Sequence, residues 1–123
     1  MTDNQTKLGV APNVGGLLCY VPCCIGFIVS IVVAVIEKEN KFLRFHAFQS
    51  LLVHAAAIVC GIAFWILSMI AGMIFGLLAL GVSLVSLLVS FGFLGALIFM
   101  MIKANNNEEY KLPVIGDMAA QWV

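Results

Sequence analysis

A chain of 123 residues with 63% of its positions in the AVILMFWYC set and only 10% charged cannot keep its outside in water, which takes roughly 25% charge spread along the chain. Six basic residues balance six acidic ones, so there is no clustered positive field for nucleic acid. Two charge-free runs, Leu8 to Ile36 and Phe45 to Ile102, describe an integral membrane protein, and their unbroken apolarity requires helices because barrel strands alternate.

In chain order, a polar N-terminal tail (residues 1–14) leads into a single membrane domain (15–123). The first span is expected at about 16–36. Its apolar core is longer than the ~7–15 residues of a signal h-region and no small-residue cleavage site follows, so the segment reads as a retained helix. The polar loop Glu37 to Lys41 closes it. The run from Phe45 to Ile102 would measure roughly 87 Å as one helix, too long for one crossing of a ~30 Å hydrocarbon core and too short for three. Two spans are expected there, at about 44–70 and 78–102. The break is placed near Gly72 to Gly81, where glycines crowd and a chain most easily leaves helical geometry. The fold class is therefore an all-α integral membrane protein with three transmembrane helices and a short amphipathic C-terminal tail (103–123).

Three spans put Lys38, Lys41, Arg44, Lys103 and Lys111 on one side and Lys7 alone on the other. The positive-inside rule then predicts a multi-pass protein of the cell (inner) membrane, its N-terminus outside and its C-terminus cytoplasmic.

The segment NKFLRFHAFQS (40–50) opens the second span and is amphipathic at helical period. His46, Gln49, Ser50 and His54 share an arc of about 140°, with Phe45, Phe48, Leu51, Leu52 and Ala55 opposite. Polar groups at that depth face other helices or a wet cavity. The arc is therefore either a vestibule or contact surface, or a set of interhelical hydrogen bonds. His46 and His54 stand ~12 Å apart along the axis and cannot share a metal. Cys19, Cys23 and Cys24 form a C-x-x-x-C-C cluster, not a C-x-x-C pair; they and Cys60 read mainly as small packing residues. In the last span Ala79, Ser83, Ser86 and Ser90 make a small-residue seam for helix approach. Gly72-x-x-x-Gly76 has the form of a dimerisation motif, but the expected turn falls on it, so homo-oligomerisation stays open. No nucleophile–base pair, carboxylate cluster or phosphate loop is present; no enzyme activity, metal or cofactor is expected.

In the tail, three Asn stop the last helix, Pro113 disfavours helix at Leu112, and Asp117 can cap a short final helix. Arg44 is expected to pair with Asp117 or Glu109, uniting the loop and tail motifs.

Three segments, LCYVP (18–22), NKFLRFHAFQS (40–50) and YKLPVIGDMA (110–119), together resemble small bacterial membrane proteins related to the twenty-kilodalton component of the chloroplast inner-envelope protein import translocon. The resemblance covers Leu18 to Ala119. It implies an integral membrane protein without known catalysis, or a component of a protein-translocation or channel-like assembly. The expected role is binding or scaffolding within the bilayer, with lipid and other membrane proteins as partners. The candidate interaction surface is Arg44, Phe45, His46, Gln49, Ser50, His54, Lys111, Pro113, Gly116 and Asp117.

Overall fold

The computed structural model describes residues 6–22 and 24–123. Five helices follow in order: α1 (Pro12–Cys19), α2 (Cys24–Ile36), α3 (Lys41–Ile74), α4 (Gly76–Asn105) and α5 (Ile115–Trp122). Only α3 and α4, of 34 and 30 residues, are long and apolar enough to cross a membrane.

The expected first span is not one helix. Pro12 opens α1, where a missing N–H leaves no bond unmade, and α1 ends after 8 residues at Tyr20. Pro22 lies just beyond, and the residue before a proline avoids helical backbone. The chain then turns back into α2, 13 residues long. Gly26 lets this turn close: its N–H donates to Val21 O at 3.1 Å, and a Cβ there would run into Val21 O and come within 2.7 Å of Cys19 O. At ~1.5 Å per residue, α1 and α2 reach about 12 and 20 Å, each short of a ~30 Å core.

Contacts fix the direction of this hairpin. Gly15 and Gly16 of α1 lie against Leu43, His46 and Ala104, where a Cβ would press on Leu43 at 3.0 Å or on Ala104 at 3.1 Å. Asn13 Nδ2 donates to Asn105 O at 3.1 Å, and Leu8 N donates to Glu37 Oε1 at 3.2 Å. The N-terminal segment therefore sits at the end where α3 begins and α4 stops, the same end as the tail. Sequence reasoning placed the two at opposite ends; a continuous first helix would have done so, and the Tyr20 to Pro22 turn reverses the chain.

The second run follows expectation more closely. Asn40 caps α3, its side chain accepting from Leu43 N at 3.0 Å. The break falls at Phe75, whose extended backbone (φ −164°, ψ 124°) joins α3 to α4, inside the predicted Gly72 to Gly81 window. Gly72 and Gly76 thus belong to different helices and present no common dimerisation face. Between the two helices Ser68 and Ser83 meet hydroxyl to hydroxyl at 3.2 Å. At the far end of α4, Asn107 takes a left-handed φ of 62°, while Glu108 N and Asn107 N donate to Lys103 O and Ala104 O, each at 3.0 Å. This is a Schellman stop built on asparagine.

The first turns of α3 are enclosed by α1, α2, α4 and α5, with Leu43, Phe45, Ala47 and Val53 buried. Toward the Phe75 break only α3 and α4 continue among the described residues, and their apolar side chains stand open, Trp65 at 64%, Met73 at 85% and Leu88 at 70% exposure.

Candidate functional site

The polar arc of α3 is the centre of the enclosed end, and the structure brings His46, Gln49 and Ser50 together there, all fully buried. The donors and acceptors assign themselves. His46 Nε2 lies 3.0 Å from Glu108 O; a carbonyl only accepts, so Nε2 carries the proton and Nδ1 is left as the acceptor. Tyr20 OH therefore donates to His46 Nδ1, 2.9 Å away. The same hydroxyl accepts from Gln49 Nε2 at 2.9 Å, and that amide also donates to Tyr110 O at 3.0 Å. Gln49 Oε1 accepts from Leu112 N at 2.9 Å. One α3 face thus holds the turn of the α1–α2 hairpin through Tyr20 and the extended tail through three of its backbone groups.

Ser50 completes the clamp by donating to Cys19 O; Ser30 Oγ lies 3.1 Å from the same carbonyl but has its shorter bond, 2.7 Å, to Gly26 O within α2. The Cys19 carbonyl is the end of α1, where no intrahelical donor remains, and in an apolar surrounding it would otherwise go unpaired. The cysteine cluster accordingly divides. Cys19 packs with Val33, Leu43 and Ala47, Cys24 is exposed and Cys60 half-buried, all three as free thiols; Cys23 lies outside the described residues.

Arg44 does reach the tail, but through other partners than expected. Its guanidinium donates to Ala34 O at 3.1 Å, Glu37 O at 3.4 Å and Trp122 O at 3.5 Å, and it lies over the Phe48 ring, 5.0 Å from the centroid. These carbonyls close the C-termini of α2 and α5, where a cation is favoured by the unpaired C=O groups and the helix dipole. Asp117 is exposed, and the ion pair found among the described residues is Lys103–Glu108 at 3.0 Å. Rings anchor the tail further: Trp122 meets Phe48 edge-on at 6.0 Å and Tyr110 meets Phe99 at 5.1 Å.

Of the remaining candidate residues, Phe45 is buried at 3% exposure beside His46 instead of facing lipid. Lys111 and Pro113 are exposed on the tail. After Pro113 the chain makes a three-residue turn, Ile115 N donating to Pro113 O at 2.7 Å, with Val114 at φ 66°, ψ −53°. This is the rarer hand of γ-turn and strained for a β-branched residue. Gly116 has no room for a Cβ, which would meet Lys111 and Gln49 Oε1 at 2.8 Å or less. His54 joins the others only through Ser50, its Nδ1 lying 2.8 Å from Ser50 O and 3.2 Å from Ser50 Oγ, and its ring packs beside Phe27 of α2 at 5.8 Å between centroids. Sequence reasoning missed Tyr20, Ser30 and Glu37, all buried; the usable signal was a phenol and a hydroxyl inside an otherwise apolar run.

Enclosed short helices around a long apolar hairpin define a small all-α membrane protein with no soluble domain among its described residues. The chain belongs to the magnetosome magnetite crystal formation protein family, whose sequence profile matches residues 4–119. It is 37% identical over 119 residues to the UPF0132 membrane protein MJ1443 of Methanocaldococcus jannaschii, covering 96% of this chain and 94% of that one. A second protein of that organism, MJ1527, is 34% identical over 115 residues, 94% of this chain and 72% of its own length. An Archaeoglobus fulgidus UPF0132 membrane protein is 35% identical over 111 residues, 90% and 94% of the two chains. No solved structure matches the chain. These matches overturn the resemblance to the chloroplast import component, and these named relatives are archaeal where bacterial ones were expected. The motifs that suggested it hold the hairpin turn, the α3 clamp and the tail together.

Proposed function

We propose that this is a two-span membrane protein that acts without catalysis, by binding or scaffolding in the bilayer, with both described ends on the cytoplasmic face. In this reading α1 and α2 form a re-entrant hairpin that enters from the cytoplasmic side and returns to it, while α3 and α4 cross. The supporting observation is the distribution of charge. Lys7, Lys38, Lys41, Arg44, Lys103 and Lys111 all fall at the enclosed end, as do Glu37, Glu39, Glu108, Glu109 and Asp117, and the hairpin from Ala55 to Ala96 carries none. A two-span topology gathers all six basic residues inside, where the three-span reading left Lys7 outside, and so obeys the positive-inside rule more fully. The exposed apolar flank of α2, including Ile28 at 58% and Val35 at 62%, gives the hairpin a lipid-facing side. From the relatives' names this reading takes membrane residence alone.

Single cysteines test the topology in a background without the native four: Lys7→Cys, Met73→Cys and Val123→Cys, probed with an impermeant maleimide. Lys7→Cys and Val123→Cys are expected to label in inverted membrane vesicles and not in intact cells, with Met73→Cys never labelling from their side. Labelling of Lys7→Cys and Val123→Cys from opposite faces would restore three spans and refute the re-entrant hairpin.

A further inference from the structure

Beyond the turn of the α1–α2 hairpin, the first turn of α2, the middle of α3 and the middle of α4 line a groove of about 520 Å³. That volume lies within the ~300–1,000 Å³ of small-molecule sites. Phe27, Phe64, Phe93 and Leu97 make its wall, with Gly61 leaving a gap on α3. Ile58 and Leu94 on its rim are 54% and 37% exposed.

One polar atom in this wall is unanswered. His54 Nε2 is buried and is the one buried side-chain nitrogen or oxygen without a hydrogen-bond partner among the described residues. Its tautomer is set by the other ring nitrogen. Nδ1 lies 2.8 Å from Ser50 O, which only accepts, so Nδ1 holds the proton and Nε2 offers a lone pair. Ser90, also in the wall, is committed to Ser86 O at 2.9 Å. A buried acceptor left alone is costly, because its lone pair has given up water and gained no donor.

We propose that the groove binds one neutral amphiphile dissolved in the bilayer, an apolar chain bearing a hydroxyl that donates to His54 Nε2. Neutrality follows from the wall, which holds no Lys or Arg to match an anionic head and no Asp or Glu to match a cation. Entry is lateral, past Ile58 and Leu94, since these residues face lipid if the membrane reading above holds, on which this inference rests.

The test uses the full chain in phosphatidylcholine nanodiscs with a diazirine-bearing hexadecanol, competed by unlabelled hexadecanol or by its methyl ether, which has the same chain and no donor. Photolabel is expected on α3 and α4 at the groove, with the alcohol competing roughly fivefold better than the ether, the value of one net hydrogen bond. His54→Phe should abolish that preference. Gly61→Leu should block labelling without disturbing the fold, since a Cβ there meets no atom within 4 Å and the rest of the side chain extends into the groove. Equal competition by alcohol and ether, groove labelling that survives Gly61→Leu, or a second copy crosslinked in the groove would each overturn the proposal. A diazirine alkane run in parallel reports the bilayer itself: if it fails to label the exposed faces of α3 and α4, the membrane reading has failed instead.

Discussion

Gln49→Met removes the hinge pin of the tail while keeping its volume. Gln49 is fully buried and donates to Tyr20 OH and Tyr110 O and accepts from Leu112 N, at 2.9, 3.0 and 2.9 Å. Methionine matches its length and packs beside Met100, whose sulfur already lies 4.0 Å from the amide, so the change is one of hydrogen bonding. Two of the three bonds hold the tail. At about 1 kcal/mol net each, their loss shifts the balance of docked and lifted tail by about 2 kcal/mol, roughly thirtyfold in population. The lifted tail recovers water at Tyr110 O and Leu112 N, which caps the cost near that figure. The Tyr20 hydroxyl keeps its bond to His46, so the hairpin turn should hold. Amide hydrogen exchange in detergent or nanodiscs reads this directly: Leu112 and residues 115–120 should exchange ten- to thirtyfold faster, with Val53 and Leu97 unchanged. An unchanged rate at Leu112 would mean that the tail is held by its rings, His46 and Arg44 without Gln49, and would refute the Gln49 clamp.

Arg44→Ala strips donors from the ends of α2 and α5 and should speed exchange near Ala34 and Trp122 by roughly five- to thirtyfold, about 1–2 kcal/mol for a cation at partly buried helix C-termini. Asp117→Ala should leave both within about twofold, since no ion pair holds it, and the double variant should match Arg44→Ala; a large Asp117 effect would reinstate the carboxylate partner. Gly26→Ala should cost several kcal/mol by forcing a Cβ onto the backbone of the hairpin turn, whereas Gly61→Ala, with open space around it, should be neutral or stabilise by up to ~1 kcal/mol through helix propensity. Thermal unfolding followed by circular dichroism separates the pair, and equal melting of the two variants would contradict the close turn.

The long hairpin was legible because 58 charge-free residues exceed what one helix can bury and because glycines bracket the break at Phe75. The first span was misread for a physical reason. Hydropathy reports the free energy of moving side chains into lipid and is blind to whether the backbone carrying them is continuous; Leu17 to Ile36 is as apolar as a true span and yet reverses at Tyr20 to Pro22. Arg44 was misassigned similarly: sequence offers carboxylates as visible partners, while the partners found are carbonyls of residues as ordinary as Ala34 and Trp122, exposed only because helices end there.

What distinguishes this architecture from three plain spans is where its buried polar side chains go. In a bundle of continuous helices the backbone satisfies itself and interhelical polar residues bond one another. Here Ser50 serves Cys19 O, His46 serves Glu108 O, and Gln49 serves Tyr110 O and Leu112 N. Each is matched to backbone that has left helical geometry. Broken helices within an apolar surrounding demand such donors and acceptors, because every C=O and N–H released at a helix end must be answered from a side chain when water is scarce. The concentration of Tyr20, His46, Gln49 and Ser50 at one depth therefore marks interrupted backbone nearby. His54 lies one turn past Ser50 with no such backbone to serve at Nε2, and this is what sets it apart as a site for something that arrives from outside the chain.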